Sequence, residues 1–246
     1  MGVRKGTYFY HVMKTGGRSI ISAFLYYLLK EEIQKNNDNI TYTDLYLHIT
    51  GGHVEIKIND SYIKKLQLIL CKWNSSIKNK RFKFGFNHDF LGVKLPRCCY
   101  TITCIREPLE RLLSHYRMLL MLKAKKDFRE TPSNDCRYIM KGIQYFVENF
   151  PKEYLIHQLY FFSKKGDVGE AFNNVTKCTQ IILTEKMQEG YDKFYAKTNI
   201  QLQSQIVLST PLRKHDLNGQ ELTQLKQILH KEYEFYYQVL GYYEQG

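Results

Sequence analysis

Three groups of residues in this sequence have the types and spacing to act on an anionic group. The first is Lys14-Thr15-Gly16-Gly17-Arg18-Ser19. It follows the β-branched and aromatic run Thr7–Met13 and leads into a segment with helical apolar spacing, so it reads as strand, glycine loop, helix. Such a loop aims backbone N–H groups, hydroxyls and positive charge at the helix N-terminus, which suits a phosphate or sulfate group. Lys14 precedes the glycines, whereas the nucleotide-kinase loop G-x-x-x-x-G-K-[ST] puts its lysine after them, an order that disfavours an ordinary ATPase or kinase. Taken alone, the same residues also fit a plain turn with a helix cap. The second group is Arg106-Glu-Pro108 followed by Arg111 and Ser114-His-Tyr116. Arg106 ends an apolar run, and Ser114 lies about two helical turns further on, so a guanidinium and a hydroxyl can meet a terminal phosphate from one helix face. Without a partner motif this stretch is equally a helix start with Pro108 as its first residue. The third group is the eight histidines, His11, His48, His53, His88, His115, His157, His215 and His230, from which a general base near neutral pH would be drawn.

The elements that must position these groups alternate. Strands are expected at Thr7–Met13, Phe82–Phe86, Cys99–Ile105 and Gln180–Thr184, the last almost wholly apolar as a buried parallel strand is. Helices are expected at Arg18–Glu32, Ser61–Trp73, Pro108–Leu122, Ile143–Phe150, Tyr154–Ser163, Glu185–Tyr195 and Glu221–Tyr243. In the first of these, Ile20, Ile21, Phe24, Leu25 and Leu28 form a core-facing stripe. Lys123–Arg137 and Thr210–Gly219 read as charged loops. This order predicts an α/β fold, a central parallel sheet flanked by helices, with binding at the carboxyl ends of the strands.

The 246 residues, 43% apolar and 14% aromatic, suffice for one domain with a sizeable core. Thirty-six basic against 24 acidic side chains leave a net charge of +12, which favours an anionic partner without naming it. The six cysteines form no C-x-x-C pair and are too sparse for a disulfide scaffold, so they read as reduced thiols. No stretch has the apolar length of a membrane span, and Met1–Thr7 is too polar for a signal peptide. A cytoplasmic location is therefore expected, with the Golgi lumen the alternative if an N-terminal anchor has been removed.

His11-Val-Met-Lys-Thr-Gly-Gly-Arg-Ser19 resembles the H-V-P-K-T-G-G-T-S loop of sulfotransferases that use 3'-phosphoadenosine 5'-phosphosulfate (PAPS). The wording is nearest the heparan sulfate 2-O and 6-O branch, and Met13 and Arg18 are the departures. Arg106 to Tyr116 is similar to that family's R-x-P-x-x-R-x-x-S-x-Y element at every defining position. The resemblance implies a P-loop-nucleotide-kinase-like sulfotransferase fold over residues 1–246. It implies a sulfonate donor, PAPS, cradled by Lys14, Thr15, Gly16, Gly17, Arg18 and Ser19, with Arg106 and Ser114 on its 3'-phosphate. Lys14 would stabilise the departing phosphate, and the nucleotide product would be the 3',5'-bisphosphate, PAP. Phe84-Gly-Phe-Asn-His88 looks like the stretch whose G-H pair supplies the base, with Asn87 in place of the glycine. His53, in Gly51-Gly-His-Val54, matches the G-H wording better but lies much farther from Arg106, which favours His88. Ile182-Leu-Thr-Glu-Lys-Met187 and the tyrosine-rich His230–Tyr237 extend the similarity, and Arg213 and Lys214 fall where such enzymes close over the nucleotide.

The transferring sulfonate carries less charge than a phosphoryl group and needs Mg²⁺ less, so no metal is expected. The expected acceptor is a hydroxyl or amine of a saccharide or small molecule; no nucleic-acid partner is expected. Two other classes compete: a P-loop-type kinase of a small molecule, and a non-catalytic polyanion or nucleic-acid-binding module with twenty tyrosines for stacking.

Overall fold

The computed structural model describes residues 6–36, 69–70, 82–90, 95, 98–124, 134–139, 141–203 and 217–245. The chain is α/β. Five strands, β1 (Thr7–Tyr10), β2 (Ile69–Leu70), β3 (Phe84–Asn87), β4 (Tyr100–Ile105) and β5 (Gln180–Leu183), form one sheet in the order β2-β3-β1-β4-β5. The pairings β2–β3, β3–β1 and β1–β4 are parallel, and Tyr10 stands level with both Asn87 and Thr103. Every residue of β1 and β5 is buried, as continuous apolar runs predict for parallel strands covered on both faces.

The chain divides into two compact units. The first comprises Met1–Val12, Gly16–Cys104 and Thr176–Val207 and carries the sheet. Alternate residues of its strands, Phe9, Phe84, Phe86, Ile102 and Ile182, face one core. The helix α1 (Gly17–Asn36) contributes Ile20, Ile21, Phe24 and Leu25 to that core, with Leu28 at its margin, so the predicted stripe is the buried one. Phe24 stacks on Phe84 with ring centroids 4.0 Å apart. A fully buried phenylalanine stabilises by about 1.5–3 kcal/mol through transfer from water, so this stripe fixes how α1 leaves the glycine loop.

The second unit comprises Met13–Thr15, Ile105–Val175 and Leu208–Gly246 and is helical. Its helices are α2 (Pro108–Ala124), α3 (Ile143–Asn149), α4 (Lys152–Leu155), α5 (His157–Phe162), α6 (Val168–Val175), α8 (Gly219–Ile228) and α9 (His230–Gln245); α7 (Met187–Thr198) belongs to the first unit. Pro108 opens α2 where a missing N–H costs nothing, and the Glu110 N–H donates to Glu107 Oε2 at 2.7 Å. No described helix is long and apolar enough to cross a membrane.

Several expectations are corrected. Ile69–Leu70 is a strand inside the span read as the helix Ser61–Trp73, the rest of which lies outside the described residues. The helix expected over Tyr154–Ser163 breaks at Ile156 (φ −109°, ψ 51°), giving α4 and α5. The helix expected over Glu221–Tyr243 breaks at Leu229 (φ −86°, ψ 2°), and His230 Nδ1 lies 2.9 Å from the Gln227 carbonyl there. The first strand stops at Tyr10, and the end of the charged loop expected over Lys123–Arg137 enters a 3₁₀ helix, Asn134–Ile139.

Candidate functional site

β1 leads into the Lys14 loop, β3 into His88 and β4 into Arg106, and these three strands are neighbours in the sheet. In the first unit, the His11 N–H donates to the Asn87 carbonyl at 2.8 Å, continuing the β1–β3 ladder past its last paired residues. That step sets the His11 and His88 rings 4.2 Å apart, centre to centre, and puts His88 Nδ1 2.9 Å from the His11 carbonyl oxygen. A carbonyl oxygen only accepts, so the proton resides on Nδ1 and the lone pair of the neutral ring on Nε2. Withdrawal of part of the ring from water holds the His88 pKa below its ordinary 6.5, with the bond to His11 acting in the opposite sense. His88 is thus a neutral imidazole at pH 7 in one defined tautomer, the state a general base requires.

His11 itself is buried and stacked on Phe9, centroids 5.2 Å apart. Its ring lies against the start of α1 so closely that a Cβ on Gly17 would sit 1.9 Å from Nε2. Gly16 is required for another reason: its φ is +82°, a region side-chain-bearing residues avoid, and a Cβ there would meet Met187 Cε at 2.8 Å. The Ser19 N–H closes the turn onto the Gly16 carbonyl at 3.0 Å. The first turn of α1 contains no acidic side chain, so the positive end of the helix dipole is not offset from within the helix.

In the second unit, Lys14 has φ +68°. Among the described residues the only other non-glycine with positive φ is Asn199, the ordinary left-handed cap of α7. A lysine held in that region costs about 1 kcal/mol, and such residues cluster at ligand-binding loops. Thr15 is fully buried. Arg106 Nη1 donates to the Lys14 carbonyl at 3.4 Å, which joins the two predicted anion-binding motifs across 92 residues of sequence. Arg106 also meets Glu110 at 3.5 Å, a partly exposed i,i+4 pair worth about 0.3–0.5 kcal/mol and weak enough to give way to a phosphate. Ser114 is half-buried on α2. Beside it, His115 is held neutral: burial first, then the charges of Arg111 and Lys14, push its pKa down to about 3.

Arg18 is exposed and Ser19 half-buried. His53, Arg213 and Lys214 lie outside the described residues. The structure therefore unites Lys14 with Arg106 in one unit, and His88 with His11 and Gly17 in the other. The sequence marks His11 as the first residue of the loop motif but gives it no role of its own; its packing against Gly17 and His88 is seen only in the fold. Among the described residues, no group of three or more His, Cys, Asp or Glu side chains is arranged to hold a metal ion. No protein-family model matches the chain, and no curated protein matches its sequence significantly.

Proposed function

We propose that the chain is a sulfotransferase of the P-loop-nucleotide-kinase-like fold, moving a sulfonate group from PAPS to a hydroxyl or amine of a saccharide or small molecule. The observation that carries this reading is the 3.4 Å contact between the Arg106 guanidinium and the Lys14 carbonyl, because it brings together two motifs, remote in sequence, that the reading assigns to one anionic donor. The donor supplies the activated S–O bond: it breaks toward PAP as the acceptor oxygen or nitrogen bonds to sulfur. The residues present fit such a donor. Lys14, on a strained backbone, offsets the charge that develops on the departing phosphate. The first turn of α1 holds no acidic side chain to compete with an anion drawn to its positive end. Arg106 and Ser114 take the 3'-phosphate, the group that separates PAPS from ATP. His88 accepts the acceptor's proton on Nε2, since its Nδ1–H is engaged by the His11 carbonyl. The net charge of +12 suits an anionic acceptor.

Calorimetric titration of PAP, ADP and ATP tests the reading. PAP is expected to bind more tightly than the other two, and Arg106→Ala to lose about 10- to 100-fold in PAP affinity, the worth of charge-assisted bonds to a phosphate. Tighter binding of ATP than PAP would favour the kinase reading, and salt-sensitive oligonucleotide binding without PAP binding would favour the polyanion-binding module.

A further inference from the structure

We infer that Gln158 and the last helix, α9, are positioning elements for Arg106, an inference that rests on the reading of Arg106 as a 3'-phosphate ligand. Arg106 lies between the end of β4 and the start of α2. The Glu107 carbonyl after it accepts from the Arg111 N–H of α2 at 3.0 Å, but the Arg106 N–H and carbonyl are met by one buried side chain. Gln158 Oε1 accepts from the Arg106 N–H at 2.8 Å, and Gln158 Nε2 donates to the Arg106 carbonyl at 2.9 Å. This two-point pairing fixes the peptide units on both sides of the Arg106 Cα, and so fixes the root of the guanidinium arm.

Gln158 is held in turn from α9. Its backbone N–H donates to Glu232 Oε1 at 2.7 Å, and Glu232 is fully buried against Arg111, with Nε 3.3 Å from Oε1. The next residue on α9, Tyr233, donates its hydroxyl to Glu107 Oε1, and the other oxygen of that carboxylate receives the Glu110 N–H that begins α2. Two consecutive residues of α9 thus grip the turn on either side of the Arg106–Glu107 peptide. A fully buried ion pair is a poor way to gain stability, because desolvating both charges offsets most of their attraction. It is an effective way to hold a geometry, and a side chain that must meet a phosphate needs its backbone held to within about 0.5 Å. Nothing in α9 need touch the nucleotide for its loss to weaken the 3'-phosphate contact.

The test compares PAP with 5'-AMP, which lacks the 3'-phosphate, by calorimetry on the full chain and its Arg106→Ala, Gln158→Leu and Tyr233→Phe variants. Tyr233→Phe removes one hydroxyl and keeps the ring, so it reports even if Gln158→Leu fails to fold. The expected losses in PAP affinity are about 5- to 10-fold for Tyr233→Phe and about 10- to 50-fold for Gln158→Leu, with 5'-AMP affinity unchanged. In the Arg106→Ala background neither substitution should weaken PAP binding further, because the arm they position is gone. Equal losses for PAP and 5'-AMP would overturn the inference, since a general structural role moves both. Unchanged PAP affinity in Tyr233→Phe and Gln158→Leu, with a loss in Arg106→Ala, would overturn the inference alone. Failure of the wild-type chain to bind PAP would overturn the reading beneath it, and the inference with it.

Discussion

Gly17→Ala gives the sharpest mutational test of the loop geometry. The new Cβ would lie 1.9 Å from His11 Nε2 and 2.0 Å from Cδ2, where ordinary contact begins at 3.4 Å, so the imidazole must retreat by roughly 1.5 Å. His11 cannot do so freely, being buried, stacked on Phe9 and packed on His88. Overpacking of this kind costs about 1–3 kcal/mol, against which alanine at a helix position returns up to about 1 kcal/mol over glycine. The clash should dominate. For a chain of this length each kcal/mol lowers Tm by about 2–4 °C, so a fall of several degrees is expected. The decisive assay is a double-mutant cycle of Gly17→Ala, His11→Ala and the pair, read by urea and thermal unfolding. With the ring removed, Gly17→Ala should be neutral or stabilising, giving a coupling of about 2 kcal/mol. An alanine that costs the same in both backgrounds would refute the argument from His11.

Other expectations follow from single groups. His88→Gln should abolish transfer while PAP affinity stays within about twofold, and in the wild type the acid limb of the pH–rate profile should fall below pH 6.5, because a base with a lowered pKa stays deprotonated longer on acidification. An acid limb above 6.5 would contradict the environment assigned to that ring. His115 takes a proton below 6.5 when unfolded but only near pH 3 when folded, so its contribution to stability is full above 6.5 and declines as pH falls. Relative to His115→Phe, the wild type should lose about 2 kcal/mol between pH 7 and pH 5 in urea unfolding; parallel pH profiles would show the two side chains equivalent. Among the described thiols, burial pushes Cys99 up to about 12 and Cys178 up as well, while Cys98 is only half-buried. Alkylation of the native chain at pH 8, mapped by peptide mass spectrometry, should reach Cys98 before Cys99, Cys104 and Cys178.

The turns at Gly16 and Pro108 were legible because their backbone signals are local: a glycine where φ is positive and a proline opening α2. Thr7–Tyr10, Tyr100–Ile105 and Gln180–Leu183 were legible as strands because buried parallel strands are continuous apolar runs. The breaks at Ile156 and Leu229 were not, since neither has a glycine or proline to announce it and the apolar stripe continues through both. Nor was Gln158. A glutamine between His157 and Leu159 reads as a surface position on a helix, and only the fold reveals that it closes on a backbone 52 residues away. The buried Arg111–Glu232 pair hides for the same reason, because each looks like an ordinary helix-surface charge. The packing of His11 over Gly17 is likewise tertiary, arising from the angle at which α1 leaves β1.

Sulfonate transfer is tested by incubating the purified chain with sulfur-labelled PAPS and a panel of saccharide, phenolic, amine and alkaloid acceptors, read by mass spectrometry. At least one acceptor should gain a single SO₃ unit in step with PAP release, and that product should be lost in both Lys14→Ala and His88→Gln. Label that stays on the nucleotide across the panel, in a chain stabilised more by ATP than by PAP, would rule sulfonate transfer out.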